Sequence, residues 1–176
     1  MRMLLVGGSK SGKSMLAQEL CRTLGGPLYY WATMAPVDDE DRTRIARHRK
    51  ERRGWGFTTV ERGRDLRGAL PQIDPTGTVL FDSVTAALAN EMFSAPEPDE
   101  TAWQRVRDDL LTVSRHSANY VCVCDDLWRD GGDYDRWTED YCRGLALICR
   151  TLAEEFDVVC EVAAGRPHLW KGALPR

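Results

Sequence analysis

The chain has 176 residues, 43% hydrophobic and 29% charged, with a formal net charge of −3. That length and composition suit a single globular domain with a real core, so residues 1–176 are read as one domain. The net negative charge argues against wholesale binding to nucleic acid or to a membrane surface.

The chain opens with Met3-Leu4-Leu5-Val6, a short apolar strand, which runs into Gly7-Gly8-Ser9-Lys10-Ser11-Gly12-Lys13-Ser14. This is the phosphate-binding pattern G-x-x-x-x-G-K-[ST], and Leu16, Leu20 and Leu24 then repeat on one helical face. Strand, glycine turn and helix start in that order make the motif specific. Its glycines let backbone N–H groups curl around phosphate oxygens, and the helix N-terminus adds partial positive charge. Lys13 is expected at the β/γ-phosphates and the Ser14 hydroxyl on Mg²⁺, with ATP or GTP as the nucleotide. Because the first strand enters this loop directly and no apolar run approaches the roughly 20 residues of a membrane span, no signal peptide is expected and the protein is read as cytoplasmic.

Further strands are expected at Leu28–Thr33, Phe57–Val60, Thr78–Asp82, Asn119–Cys124 and Asp157–Ala163. One helix is expected with Trp103, Val106, Leu110 and Val113 on a single face, after the loop Ser94–Glu100, and another over Trp137–Glu155. Loops are expected at Pro71–Gly77 and Gly131–Asp135, where Gly, Pro and Asp cluster. Strands alternating with helices predict an α/β fold, a P-loop NTPase-like (RecA-like), mostly parallel sheet with helices on both faces.

Residues 42–53 form a basic run in which Arg44, His48 and Arg52 would share one helical face. A histidine between guanidinium groups suits a nucleophile for phosphorus, because the cations hold phosphate oxygens and favour neutral imidazole. A solvated basic face and a nucleic-acid patch are the other readings of the same run. Val79-Leu80-Phe81-Asp82 is an apolar strand ending in a carboxylate, which P-loop enzymes use to hold Mg²⁺.

Other residues carry weaker signals. The six cysteines suit reduced thiols, and alternation sends Cys122 and Cys124 to one sheet face. Asp125 and Asp126, at a strand end, are metal-site candidates. The three histidines lack metal-ligand spacing, and His116 is expected to cap a helix C-terminus, whereas His168 is given no role. Trp128 and Trp137 flank the Gly131-Gly132 loop, where they either pack in the core or stack on a planar substrate.

Taken in order, these pieces resemble the bifunctional adenosylcobinamide kinase/adenosylcobinamide-phosphate guanylyltransferase family of cobalamin assembly. The family's G-G-x-x-S-G-K-S is present as Gly7–Ser14, and its Y-I-A-T resembles Tyr30-Trp31-Ala32-Thr33. The D-x-E…R-I-x-x-H-x-x-x-R pattern is matched by Asp38, Glu40, Arg44, Ile45, His48 and Arg52. Trp55 and Glu61 fit W…E, Leu80, Asp82, Thr85 and Asn90 fit a later segment, and Gly165, Pro167 and Lys171 fit G-x-P…K. The chain departs from the family at Val123–Trp128, where V-S-N-E-V-G is usual, and at Cys149-Arg150, where an N-Q pair is usual; the resemblance puts both segments on the nucleotide side of the sheet.

The resemblance implies a trimeric enzyme. It would phosphorylate the aminopropanol hydroxyl of adenosylcobinamide from a nucleoside triphosphate, then transfer GMP from GTP through a guanylylated histidine. His48 and Lys13 become the catalytic residues, and Ser14 and Asp82 the Mg²⁺ ligands. Nucleotide contacts fall to Gly7, Gly8, Ser9, Lys10, Ser11, Gly12, Lys13, Ser14, Thr33, Met34, Arg44, Arg49, Arg52, Glu61 and Asp82. The partners are a nucleoside triphosphate and a corrinoid. The alternatives are a P-loop small-molecule kinase without the guanylyl step, or a nucleotide-dependent regulatory protein that uses its basic run on nucleic acid.

Overall fold

The computed structural model describes residues 1–34, 54–129 and 131–175. Within them the chain runs β1 (Arg2–Gly7), α1 (Lys13–Leu24), β2 (Leu28–Ala32), β3 (Phe57–Glu61), a 3-10 helix (Leu66–Gln72), β4 (Thr78–Asp82) and α2 (Val84–Met92). It continues through α3 (Ala102–Ser114), β5 (Asn119–Asp125), a 3-10 turn (Leu127–Arg129), α4 (Arg136–Glu155), β6 (Val158–Ala163) and β7 (Arg166–Lys171).

All seven strands belong to one sheet in the order β3-β2-β4-β5-β1-β6-β7. Every pairing is parallel except β6 with β7. The expected mostly parallel sheet with helices is therefore present. Crossover handedness sorts the helices. The step from β1 to β2 runs one way across the sheet, and α1 covers one face; the steps β4 to β5 and β5 to β6 run the other way, and α2, α3 and α4 cover the opposite face.

The strands are near-continuously apolar because both faces are covered. Alternation divides their side chains into two cores. Met3, Leu5, Tyr30, Leu80, Val121, Val123 and Cys160 pack against Ala17, Leu20 and Cys21 of α1. On the other face Trp31, Phe81, Tyr120 and Phe156 form a row of edge-on and tilted rings with neighbouring centroids 5.3, 6.0 and 6.1 Å apart. Cys122 and Cys124 lie together on that second face, and all six cysteines are free thiols. Burial pushes the Cys21 and Cys122 thiols well up, as suits unreactive packing groups.

Several expectations needed adjustment. Pro71 lies inside the 3-10 helix, so the loop before β4 is shorter than 71–77. The helix α2, nine residues long, and the strand β7 were not anticipated. β7 is exposed along its whole length and pairs only with β6, so no alternation of apolar residues marks it. Cys149 is buried in the core beneath α2–α4, and Arg150 is exposed, 3.4 Å from Glu154. No described helix is long and apolar enough to cross a membrane.

Candidate active site

The glycine loop joins β1 to α1 at the carboxyl ends of the parallel strands, where open α/β sheets bind ligands. Two of the other helices begin with a side-chain cap, whereas α3, at Thr101, does not. Ser83 caps α2 by accepting the Ala86 N–H, and Asp135 caps α4 by accepting those of Trp137 and Thr138. α1 has Gly12 at its N-cap, with φ of 97° and no side-chain cap. Its first N–H groups are thus left for another acceptor, and an anion is the group this end favours.

Close packing holds the loop's path. A Cβ on Gly7 would stand 2.3 Å from the Val162 carbonyl oxygen, and one on Gly12 would stand 3.2 Å from Gly165 Cα. The Gly165 N–H donates to the Ser11 carbonyl at 2.8 Å, tying the β6–β7 turn to the loop. Gly8, Ser9 and Lys10 are exposed, Ser14 is half-buried, and Ser11 Oγ is buried without a hydrogen-bond partner.

Lys13 is buried; its ammonium donates to Gly8 O at 3.0 Å and to Asp125 Oδ1 at 2.5 Å. Asp125 pairs with Gly7 in register, and its backbone N–H donates to Thr85 Oγ1 at 3.0 Å. Asp126 turns instead to Arg129, which also binds Glu161. Leu80, Val121 and Val123 face α1, so alternation sets Asp82 and Asp125 on that same face, beside Lys13. Asp82 accepts the Tyr30 hydroxyl at 2.5 Å. Glu61 and Asp82 both pair with Ala32, one from each side, which sets the ends of β3 and β4 level with the end of β2.

Thr33 has no exposed surface: its hydroxyl donates to the Ser83 carbonyl at 2.9 Å and accepts the Ser83 N–H at 2.7 Å. Its carbonyl accepts Asn90 Nδ2 at 2.7 Å, so Thr33 and Asn90 brace the strand ends. Met34 beside it is half-buried and Glu61 is exposed. Arg44, His48, Arg49 and Arg52 lie outside the described residues, as do Asp38, Glu40 and Ile45.

Of the remaining candidates, His116 follows the end of α3 and sets its ring nitrogen 3.0 Å from the Ile73 carbonyl, so it ties two segments together rather than capping its own helix. His168 stacks edge-on against Trp170 on β7 at 4.7 Å. Trp128 and Trp137 pack against the core beneath α2–α4. Among the described residues no group of three or more His, Cys, Asp or Glu converges as a metal site. The Ser14 hydroxyl and the Asp82 carboxylate are hard oxygen donors, the kind that hold Mg²⁺ together with substrate phosphates.

Sequence reasoning missed the bracing residues. Tyr30 orients Asp82, and Thr85 pins Asp125 while its own carbonyl accepts the Tyr141 hydroxyl at 2.8 Å. Both stood in matched motifs, but nothing local in the chain reveals what they touch.

Comparison with known proteins bears on the whole chain. The P4 protein from bacteriophage phi6 in complex with ADP is similar at 15% identity and a TM-score of 0.46, over 94% of this chain and 52% of that one. An ATPase from the type III secretion system of pathogenic bacteria is similar at 14% identity and a TM-score of 0.47, over 91% and 50%. The chain spans about half the length of each of these two structures. The bifunctional adenosylcobalamin biosynthesis protein CobP of Pseudomonas aeruginosa is 38% identical over 182 residues, covering 98% of both chains. The model of the cobinamide kinase / cobinamide phosphate guanyltransferase family matches residues 3–169, a span that begins in β1 and ends in β7. With a phosphate loop, a lysine and two strand-end carboxylates gathered inside that span, the chain belongs to the cobinamide kinase / cobinamide phosphate guanyltransferase family.

Proposed function

We propose that residues 1–176 form a single nucleotide-binding domain that performs two successive transfers on one corrinoid. The first moves the γ-phosphoryl group of ATP or GTP to the hydroxyl of adenosylcobinamide. The second moves GMP from GTP to the phosphate so formed. The observation that carries this reading is the set of groups around the loop: Lys13, the uncapped start of α1 and Asp82, all on one sheet face, in a chain that the family model matches over residues 3–169.

In the first transfer the acceptor oxygen bonds to the γ-phosphorus while the bond to the bridging oxygen breaks, leaving a nucleoside diphosphate. Such transfers depend mainly on positioning and charge neutralisation. Gly7–Gly12 present backbone N–H groups, and Lys13 supplies a cation to the β/γ-phosphates. Ser14 and Asp82 hold Mg²⁺, which when bound neutralises phosphate charge. Tyr30 fixes the Asp82 carboxylate through its hydrogen bond.

In the second transfer a ring nitrogen of His48 attacks the α-phosphorus of GTP and pyrophosphate leaves; the acceptor phosphate then takes GMP from the histidine. Arg44, Arg49 and Arg52 neutralise the phosphates, and Thr33, Met34 and Glu61 complete the nucleotide contacts. The support for these roles is the R-I-x-x-H-x-x-x-R pattern in residues 44–52. A cytoplasmic trimer is the assembly that the family resemblance supports.

The test is incubation with GTP labelled in the α-phosphate. An acid-labile adduct is expected in the wild type and absent in His48→Asn, while the phosphorylation rate is retained. No adduct in the wild type, with phosphorylation intact, overturns the second transfer and leaves a kinase.

A further inference from the structure

The ammonium of Lys13 and the carboxylate of Asp125 are 2.5 Å apart, with the two side chains 8% and 27% exposed. Asp125 does not sit there by chance of a loose loop. Its N–H is bonded to Thr85 Oγ1, whose residue is tied in turn to Tyr141, and Asp125 pairs with Gly7 across β5 and β1. The carboxylate is thus fixed beside the phosphate loop. Triphosphate oxygens seated on the loop compete with Asp125 for one cation. When phosphate takes Lys13, a partly buried carboxylate is left facing a highly charged anion, and that repulsion is strong where water is scarce. A divalent ion bound to the phosphates removes the penalty. Asp82, on the adjacent strand and the same face, offers it a second oxygen donor.

We infer that Asp125 is a specificity-determining residue that makes the phosphate loop select metal-bound over metal-free nucleoside triphosphate, by competing for Lys13. Phosphate oxygens displace the carboxylate from the ammonium, and only a metal-bound triphosphate offsets the charge this exposes. No covalent step is involved. The inference rests on the reading of Gly7–Ser14 as the triphosphate cradle.

The experiment measures GTP and ATP binding to the full chain by calorimetry, once with Mg²⁺ and once with EDTA, for wild type, Asp125→Asn and Asp125→Ala. Thermal melting selects variants that are folded. In both variants metal-free GTP is expected to bind roughly tenfold or more tightly than to wild type, and the ratio between the two conditions is expected to shrink by a similar factor. Metal-free affinity unchanged in both variants, with the wild type binding the Mg²⁺ form, overturns the inference alone. No triphosphate binding by the wild type in either condition overturns the cradle reading and the inference with it.

Discussion

The hydroxyl of Tyr30 donates to Asp82 Oδ2 at 2.5 Å, joining two side chains 52 residues apart in the chain. Tyr30 is 5% exposed, and its ring packs edge-on against Phe57 with centroids 6.3 Å apart. Replacement by Phe keeps the ring and removes the bond. The apparent Mg²⁺ affinity in the phosphorylation assay is expected to fall several-fold, while stability falls by about 1 kcal/mol. A magnesium titration of the rate, with a denaturant melt alongside, checks both.

Lys13→Ala removes the only loop cation whose ammonium is drawn into the fold, since Lys10 is exposed. The phosphorylation rate is expected to fall by about 10²-fold or more, the scale of loss when one preorganised charge-stabilising donor is removed from an active site. The variant also leaves Asp125 without its ion-pair partner, so a modest drop in melting temperature accompanies the loss of rate. Steady-state kinetics and a thermal melt separate the two effects.

Gly7→Ala is expected to destabilise the protein by about 1–3 kcal/mol and to abolish nucleotide binding. The new methyl would meet the Val162 carbonyl oxygen at 2.3 Å, and that atom is backbone in β6, which is hydrogen-bonded within the sheet and cannot swing aside. Equilibrium unfolding and nucleotide titration read the two consequences. Wild-type affinity in this variant would show that the loop tolerates a shifted path.

Acid stability provides a test away from the site. The Asp99 carboxyl is held down at about 2 by hydrogen bonds from the Thr101 hydroxyl and N–H and by Arg105. A carboxyl with a lower value in the folded state stabilises the protein above its unfolded value near 4, and that contribution is lost as pH falls toward 2. The stability difference between wild type and Asp99→Asn, measured by denaturant, is therefore expected at pH 5 and to vanish by about pH 2. The Asp99 side chain is 41% exposed, so solvent screening keeps the difference small.

The sequence was most legible where a structure is made by neighbours along the chain. Six of the seven strands were anticipated to within one residue at each end, because strands buried on both faces are apolar runs bounded by turn residues. α4, from Arg136 to Glu155, was anticipated from its long apolar face. β7 escaped because it lies exposed at the sheet's edge, and α2 because nine residues rich in alanine show too little periodicity. That α4 covers the sheet opposite α1, with Cys149 in the core beneath it, follows from crossover direction rather than from local residues.

By itself the sequence determined the phosphate loop, the alternation of strand and helix, and the family resemblance, because each is written in residues a few positions apart. Only the tertiary structure decided that Lys13 meets Asp125, 112 residues away, and that Tyr30 rather than a sequence neighbour orients Asp82. Those contacts depend on which strands lie side by side in the sheet. Strand order is set by burying two apolar faces at once and by the direction of each crossover, and no short stretch of chain carries that information.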